Sequence, residues 1–290
     1  MTQRAAHELA ASGCSDDPIN SIRKYQGSQF GRSLFQVLST IGLLLGSYVL
    51  IDAGLMHGWW ISLAITPFAA GLSIRTFILQ HDCGHGSLFK ASWANDFVGR
   101  LCSLFTLTPY DHWKKHHRLH HGSWNNMDTR GRPSDMYSDC ITVSEYQKMT
   151  PLKKYLYRAS KNPALTVFLM PPIIFFIVYR IAFDTPRHWV KERLGVYLTN
   201  LILLLGYGAL VWLMGLKFVT IVSFMVIYPA AVTGVWLFLV QHKFEGVQWA
   251  KKPQWNAFDA VLTGCSFLRL PGIMRWFTGD IGVHHVHHAA

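Results

Sequence analysis

Long uncharged apolar runs, rather than strand-like alternation, set the pattern of this chain. Residues 33–51, 53–74, 194–216 and 218–241 contain no Lys, Arg, Asp or Glu. At a rise of 1.5 Å per residue, about 20 such residues carry a helix through a hydrocarbon core about 30 Å thick. The first two runs are separated by Asp52 and the last two by Lys217, so each pair predicts a helical hairpin. Trp59 and Trp60 sit at the start of the second run, where an interfacial anchor belongs. A fifth stretch, 163–179, is shorter and carries Pro171-Pro172 in its middle, which removes two backbone donors. It is expected to be re-entrant or interfacial. The fold class read from this pattern is an all-α integral membrane protein with four transmembrane helices in two hairpins. Re-entrant or interfacial helices and a His-rich cap on one face complete it.

Composition agrees with a membrane protein. Half of the 290 residues are hydrophobic, only 15% are charged and the mean hydropathy is +0.19, which excludes a disordered chain or a coiled coil. Lys and Arg outnumber Asp and Glu by 27 to 16. Such a balance suits nucleic acid or an anionic membrane face, and the uncharged runs assign it to the membrane, with no nucleic-acid partner. Apart from Arg75 and Lys217, the Lys and Arg residues fall on the side of the N-terminus, which the positive-inside rule makes cytoplasmic. Residues 1–32 are polar, show no signal-peptide pattern and read as a cytoplasmic segment ahead of a single domain, 33–290. Five cysteines without C-x-x-C spacing offer neither a disulfide framework nor a thiolate metal site.

The remaining feature is 15 histidines, concentrated in three boxes. These are His81-Asp82-Cys83-Gly84-His85, His116-His117-Arg118-Leu119-His120-His121 and His284-His285-Val286-His287-His288. On a helix, residues three or four apart share a face, so H-x-x-x-H presents two imidazoles to one point and H-x-x-H-H presents three. Chance would supply H-x-x-H-H about 0.04 times in a chain of this length, and it occurs here twice. Eight imidazoles exceed the coordination number of one ion, which points to two metals. The boxes must lie on one side of the membrane, a condition that four crossings satisfy and five do not. His242, ending the last run, is a ninth candidate. His7, His57 and His188 read as isolated interfacial residues, and the pair His112 and His116 as overlap with box two rather than a further site. Asp82, Asp111, Glu245 and Asp280 are candidates to accept the second ring N–H of a ligand and fix its tautomer.

The boxes HDCGH, HHRLHH and HHVHH, set among GSLF, TPYDHW, VQHKFE and RWFTGDIGVHHVHH, resemble those of the membrane-bound fatty acid desaturases, in particular the bacterial acyl-lipid type. The resemblance runs from about Gln80 to His288. It implies two Fe ions that activate O2, held by His81, His85, His117, His120, His121, His284, His287 and His288, with His242 as the additional ligand. His285 occupies a variable position in the box. It further implies a multi-pass protein of the bacterial inner membrane that inserts a double bond into a lipid-linked acyl chain, with a lean toward methyl-end (delta-12 or omega-3) action. The related hydrocarbon hydroxylases and carotenoid ketolases are the nearest alternatives, and a His-rich metal transporter is a remote one. No H-P-G-G haem signature or Cys cluster is present, so electrons must come from a separate ferredoxin-like or cytochrome-like donor. Lys114, Lys115, Arg118 and Lys153-Lys154 could dock it. Trp93, Trp113, Trp249, Trp255 and Trp276 fall on the same face, some as tunnel walls and most as interfacial anchors. The sequence ends two residues after His288, where a truncated C-terminus is expected.

Overall fold

A computed structural model describes residues 27–131 and 140–289 of the chain. His7, Cys14 and most of the expected N-terminal segment lie outside the described residues. In chain order the α-helices are α1 (Phe30–Met56), α2 (Thr66–His85), α3 (Ser92–Thr106) and α4 (Tyr110–Ser123), then α5 (Val143–Gln147), α6 (Pro151–Ser160) and α7 (Met170–Phe176). They are followed by α8 (Val190–Val222), α9 (Tyr228–His242), α10 (Ala257–Gly264), α11 (Gly272–Thr278) and α12 (His284–Ala289). Among the described residues there is no strand, only the isolated bridges Asn126 to Ala250 and Phe267 to Val283.

Among the described residues, three stretches are long and apolar enough to cross a membrane: Phe30–Met56, Trp60–His85 and Val190–His242. The last spans 53 residues and would be about 80 Å long if straight, far more than one crossing needs. It reverses at Gly215, whose φ of 80° and ψ of 156° lie outside the helical region and are open mainly to glycine. Tyr207 and Ser223, equally distant from Gly215 on either arm, reach each other, which requires the arms to run antiparallel. Lys217, just past the reversal, places its ammonium 4.8 Å from the Trp60 ring, so the turns of both hairpins meet at one membrane surface. The hairpins share a core in which Leu44 and Ile51 of α1 and Ala69, Ala70 and Leu72 of α2 pack with Phe218, Val222 and Val226. Outward-facing side chains such as Val49, Leu50, Leu204, Leu205 and Trp212 stay exposed, an apolar belt suited to a hydrocarbon environment.

Two boundaries differ from the sequence expectation. The first hairpin turns at residues 57–59, with Gly58 at φ 73°, instead of at Asp52, which lies within α1. Furthermore, α2 does not stop near Ile74 but continues to His85, so that box one forms the C-terminal end of that helix. The reason is Arg75. Its guanidinium bonds Thr40 Oγ1 at 3.2 Å and the Trp276 carbonyl, and stacks 4.3 Å from the Trp276 ring, so its charge does not end the helix. The stretch expected to be re-entrant is bent, with α6 and the segment Leu165–Arg180 meeting at 60°, a geometry that fits a re-entrant loop as well as a broken span. Pro171 and Pro172 follow the π-helical turn Leu165–Leu169 without a break in the helix, and their missing N–H groups interrupt the backbone ladder there.

The His-bearing elements gather at the end of α2. Helix α3 packs along α2, and α4 lies between α2 and α8. Asp111 fixes the start of α4 through two bonds to Arg100 of α3, at 2.8 and 2.9 Å, and through Lys191 of α8 at 3.3 Å.

Candidate metal centre

Each box is helical, as its spacing requires. Helix α2 presents His81 and His85 one turn apart, α4 presents His117, His120 and His121, α9 ends on His242, and α12 presents His284, His287 and His288. The nine side chains converge in two groups. His81, His85, His117, His121 and His287 have ligand atoms within 4.8 Å of one another. His242, His284 and His288 form the second group, with Cys265 at its edge, and His120 joins it with its Nε2 3.0 Å from that of His242.

This division explains the adjacent His-His pairs. In α4, His117 and His121 face the first group while His120 faces the second. In α12 the assignment is reversed, with His287 in the first group and His284 and His288 in the second. Each triplet therefore contributes to both groups, and the rings of His121 and His288 stack between them at 3.9 Å.

The separations are those of ligands. Nε2 atoms approach to 3.1 Å between His81 and His287, 3.0 Å between His85 and His117, and 2.9 Å between His284 and His242. Nitrogens about 2.1 Å from one ion lie about 3.0 to 3.4 Å apart in octahedral or tetrahedral arrangement, so the residues present fit a metal. Burial, followed by mutual repulsion, holds the proton affinities of His117, His284, His287 and His288 well below the ordinary imidazole value. Neutral rings are the form that binds metal. The buried Nε2 of His288 has no hydrogen-bond partner, as expected of a free ligand atom.

The surroundings orient these rings. Asp82 Oδ1 accepts from His81 Nδ1 at 3.2 Å, leaving Nε2 toward the group. The other three candidate carboxylates have different placements. Asp111 is occupied by Arg100 and Lys191, Asp280 by Arg275 at 2.9 Å, and Glu245 is exposed. His242 Nδ1 instead points at the Gly264 carbonyl, 3.4 Å away, with Cys265 Sγ at 4.0 Å. Trp113 stacks on His117 at 4.5 Å and Trp124 lies 4.1 Å from His242. Box one needs Gly84 because a Cβ there would come within 2.8 Å of the Trp113 ring. Among these contacts, the roles of Gly264 and Cys265 have no signal in the sequence.

His57, His188 and His285 stay outside both groups, beside Trp59, Trp189 and Phe267. His112 and His116, treated above as overlap, turn toward Asp184 instead, and Asp184 was not anticipated at all. Of the basic residues expected to dock a donor, Lys114 is bound to Asp96 at 2.8 Å and Lys115 lies over Trp189, whereas Arg118 is exposed. An apolar cavity of about 210 Å³ ends on the imidazoles. Phe77, Phe105, Phe175, Val235 and Phe238 line it, with His81, His117, His120, His242 and His284 on the same surface.

Comparison with known proteins gives the same picture. The fatty acid desaturase family model matches residues 57–290. A fatty acid desaturase of Bacillus subtilis (strain 168) is 36% identical over 256 residues, covering 88% of this chain and 71% of that protein. The sn-1 acyl-lipid omega-3 desaturase (ferredoxin) of Synechocystis is 27% identical over 273 residues, covering 89% and 70%. The sn-1 oleoyl-lipid 12-desaturase of the same organism is 26% identical over 259 residues, covering 87% and 69%. With its paired imidazole groups at the end of apolar helices, the chain belongs to the fatty acid desaturase family.

Proposed function

We propose that this protein inserts a double bond into a lipid-linked acyl chain in an O2-dependent reaction at two irons. The observation that carries this reading is the meeting of two imidazole groups with one apolar cavity. His81, His85, His117, His121 and His287 would hold one iron, and His120, His242, His284 and His288 the other. When bound, the irons would supply the O2 activation needed to remove hydrogen from an unactivated methylene. In the balanced reaction two adjacent methylenes lose one hydrogen each, and O2 with two further electrons and two protons leaves as two waters.

The chain's own residues prepare the site. The Phe77, Phe105, Phe175 and Phe238 walls admit a hydrocarbon chain and exclude water. Asp82 keeps the His81 proton on Nδ1, and the Gly264 carbonyl does the same for His242. Trp113 and Trp124 confine the His117 and His242 rings. The relatives named for omega-3 and oleoyl-lipid 12-desaturation support a lipid-linked substrate and methyl-end action. The word ferredoxin in one of those names supports a ferredoxin-like donor, for which the exposed Arg118 is a docking residue. The distribution of Lys and Arg supports a cytoplasmic site in a bacterial inner membrane.

The test is lipid profiling of a bacterial host lacking polyunsaturated chains, with the gene and a ferredoxin supplied, against the His120→Ala variant. A new double bond formed by the wild type alone is the expected result. An oxygenated product, or unchanged lipids despite an expressed iron-loaded protein, would overturn the reading.

A further inference from the structure

About 100° round α4 from His117, a second constellation faces the cavity wall. His112 and His116 stand one turn apart with ring centroids 4.4 Å from each other. Asp184, from the loop after Val178–Arg180, places Oδ1 3.0 Å from His112 Nε2 and Oδ2 3.8 Å from His116 Nε2. One ligand atom from each residue lies within 4.8 Å of the other two, in a group separate from the nine imidazoles. The three side chains are only 6%, 12% and 9% exposed, so bulk solvent does not reach them. Yet neither nitrogen of His116 has a hydrogen-bond partner, and Nδ1 of His112 has none. Buried polar groups in folded proteins are rarely left without a partner, so the unpartnered nitrogens of these two imidazoles point to a ligand between them.

We propose that His112, His116 and Asp184 form a third metal site, for a first-row divalent cation of the Zn2+ or Fe2+ class. Two imidazoles from one helical turn and a carboxylate from another segment are a donor set suited to such ions, with positions left open. The carboxylate supplies the countercharge that the nine-imidazole centre lacks. Its loop is already held in place, because Arg193 donates to the Ala182 and Thr185 carbonyls at 2.8 Å each, and Thr185 Oγ1 donates to Asp184 Oδ1 at 3.2 Å. The open positions face the cavity, since all three residues line it. The ion ties residues 181–189 to α4 and fixes that part of the wall. This site does not depend on the desaturase reading, since none of its ligands is shared with the two groups.

The experiment is anomalous diffraction at the zinc edge from wild-type crystals grown with ZnCl2, together with metal analysis of protein equilibrated with Zn2+ alone. A peak among His112, His116 and Asp184 is expected. Metal content should fall by about one equivalent in Asp184→Asn, which keeps a hydrogen-bond acceptor for His112 while removing the charge. In His120→Ala the peak should remain while occupancy of the nine-imidazole centre drops. No anomalous peak at the three residues in the wild type would overturn the proposal, whatever the other groups bind. Unchanged metal content in a folded Asp184→Asn protein would overturn it as well.

Discussion

The Nε2 atoms of His120 and His242 lie 3.0 Å apart although 122 residues separate them in the chain. One belongs to α4 and the other to the last turn of α9, so the contact binds α4 to the end of the second hairpin. His242 also stands 2.9 Å from His284, and it thereby joins all the elements of the second group. His242→Ala is therefore expected to lower iron from about two to about one per chain and desaturation at least about 100-fold. Elemental analysis and product yield measure the two effects. A variant with wild-type iron content would remove His242 from the centre.

Glycine at position 264 is a second requirement. A Cβ there would fall 1.7 Å from Asn125 Nδ2 and 2.5 Å from Trp124 Nε1. The Trp124 indole donates to the Gly264 carbonyl at 2.8 Å while its ring confines His242. Gly264→Ala must move Asn125 and Trp124, at a cost of about 1–3 kcal/mol for overpacking. The expected outcome is a lower Tm and iron lost first from the second group. Unaltered Tm and iron content would show that the neighbours yield freely.

The parts of this site that could be read from the sequence are those encoded by local spacing. His81 with His85, and the two H-x-x-H-H triplets, needed only the geometry of a helix to be placed on common faces. The hairpins were equally legible, because uncharged runs of that length have few other solutions. What escaped depends on contacts between distant segments. Arg75 looked like the end of a span until Thr40 and Trp276 were seen to receive it. Asp184 lies 72 residues from His112, with nothing in its own neighbourhood to mark it. Asp111 is adjacent to a His and suggested an orienting role, but its partners are Arg100 and Lys191, on helices that no spacing rule connects to it.

Acid should act on the metal-free protein in a defined direction. Burial holds His117, His284, His287 and His288 well below 6.5, and it holds His116 at about 4, with the neighbouring His112 as the next cause. Between the folded value and 6.5 the unfolded chain binds more protons than the folded one, so unfolding free energy increases with pH. The associated stability is complete above 6.5 and is lost progressively as the pH falls toward the folded values. Thermal melts of metal-stripped protein in detergent should show a falling Tm over that interval. A Tm that stays flat down to about pH 5 would mean that these rings are not buried as neutral groups.

Asp82 and Asp111 should separate orientation from anchoring. Asp82 touches the ring of His81, and its side chain is 41% exposed, so Asp82→Asn disturbs the tautomer more than the packing. Iron affinity is expected to fall about 10–100-fold with little change in the Tm of the metal-free protein. Asp111 is 7% exposed and contacts no imidazole of the nine, but holds Arg100 and Lys191. Those cations are 49% and 61% exposed and can turn to water, so Asp111→Asn should cost about 1 kcal/mol, or about 2–4 °C in Tm. Iron affinity should stay near the wild-type value, since α4 is still held by its packing against α2 and α8. If instead Asp111→Asn released iron without lowering Tm, the Arg100 pair would be acting on the ligands of α4 rather than on its attachment.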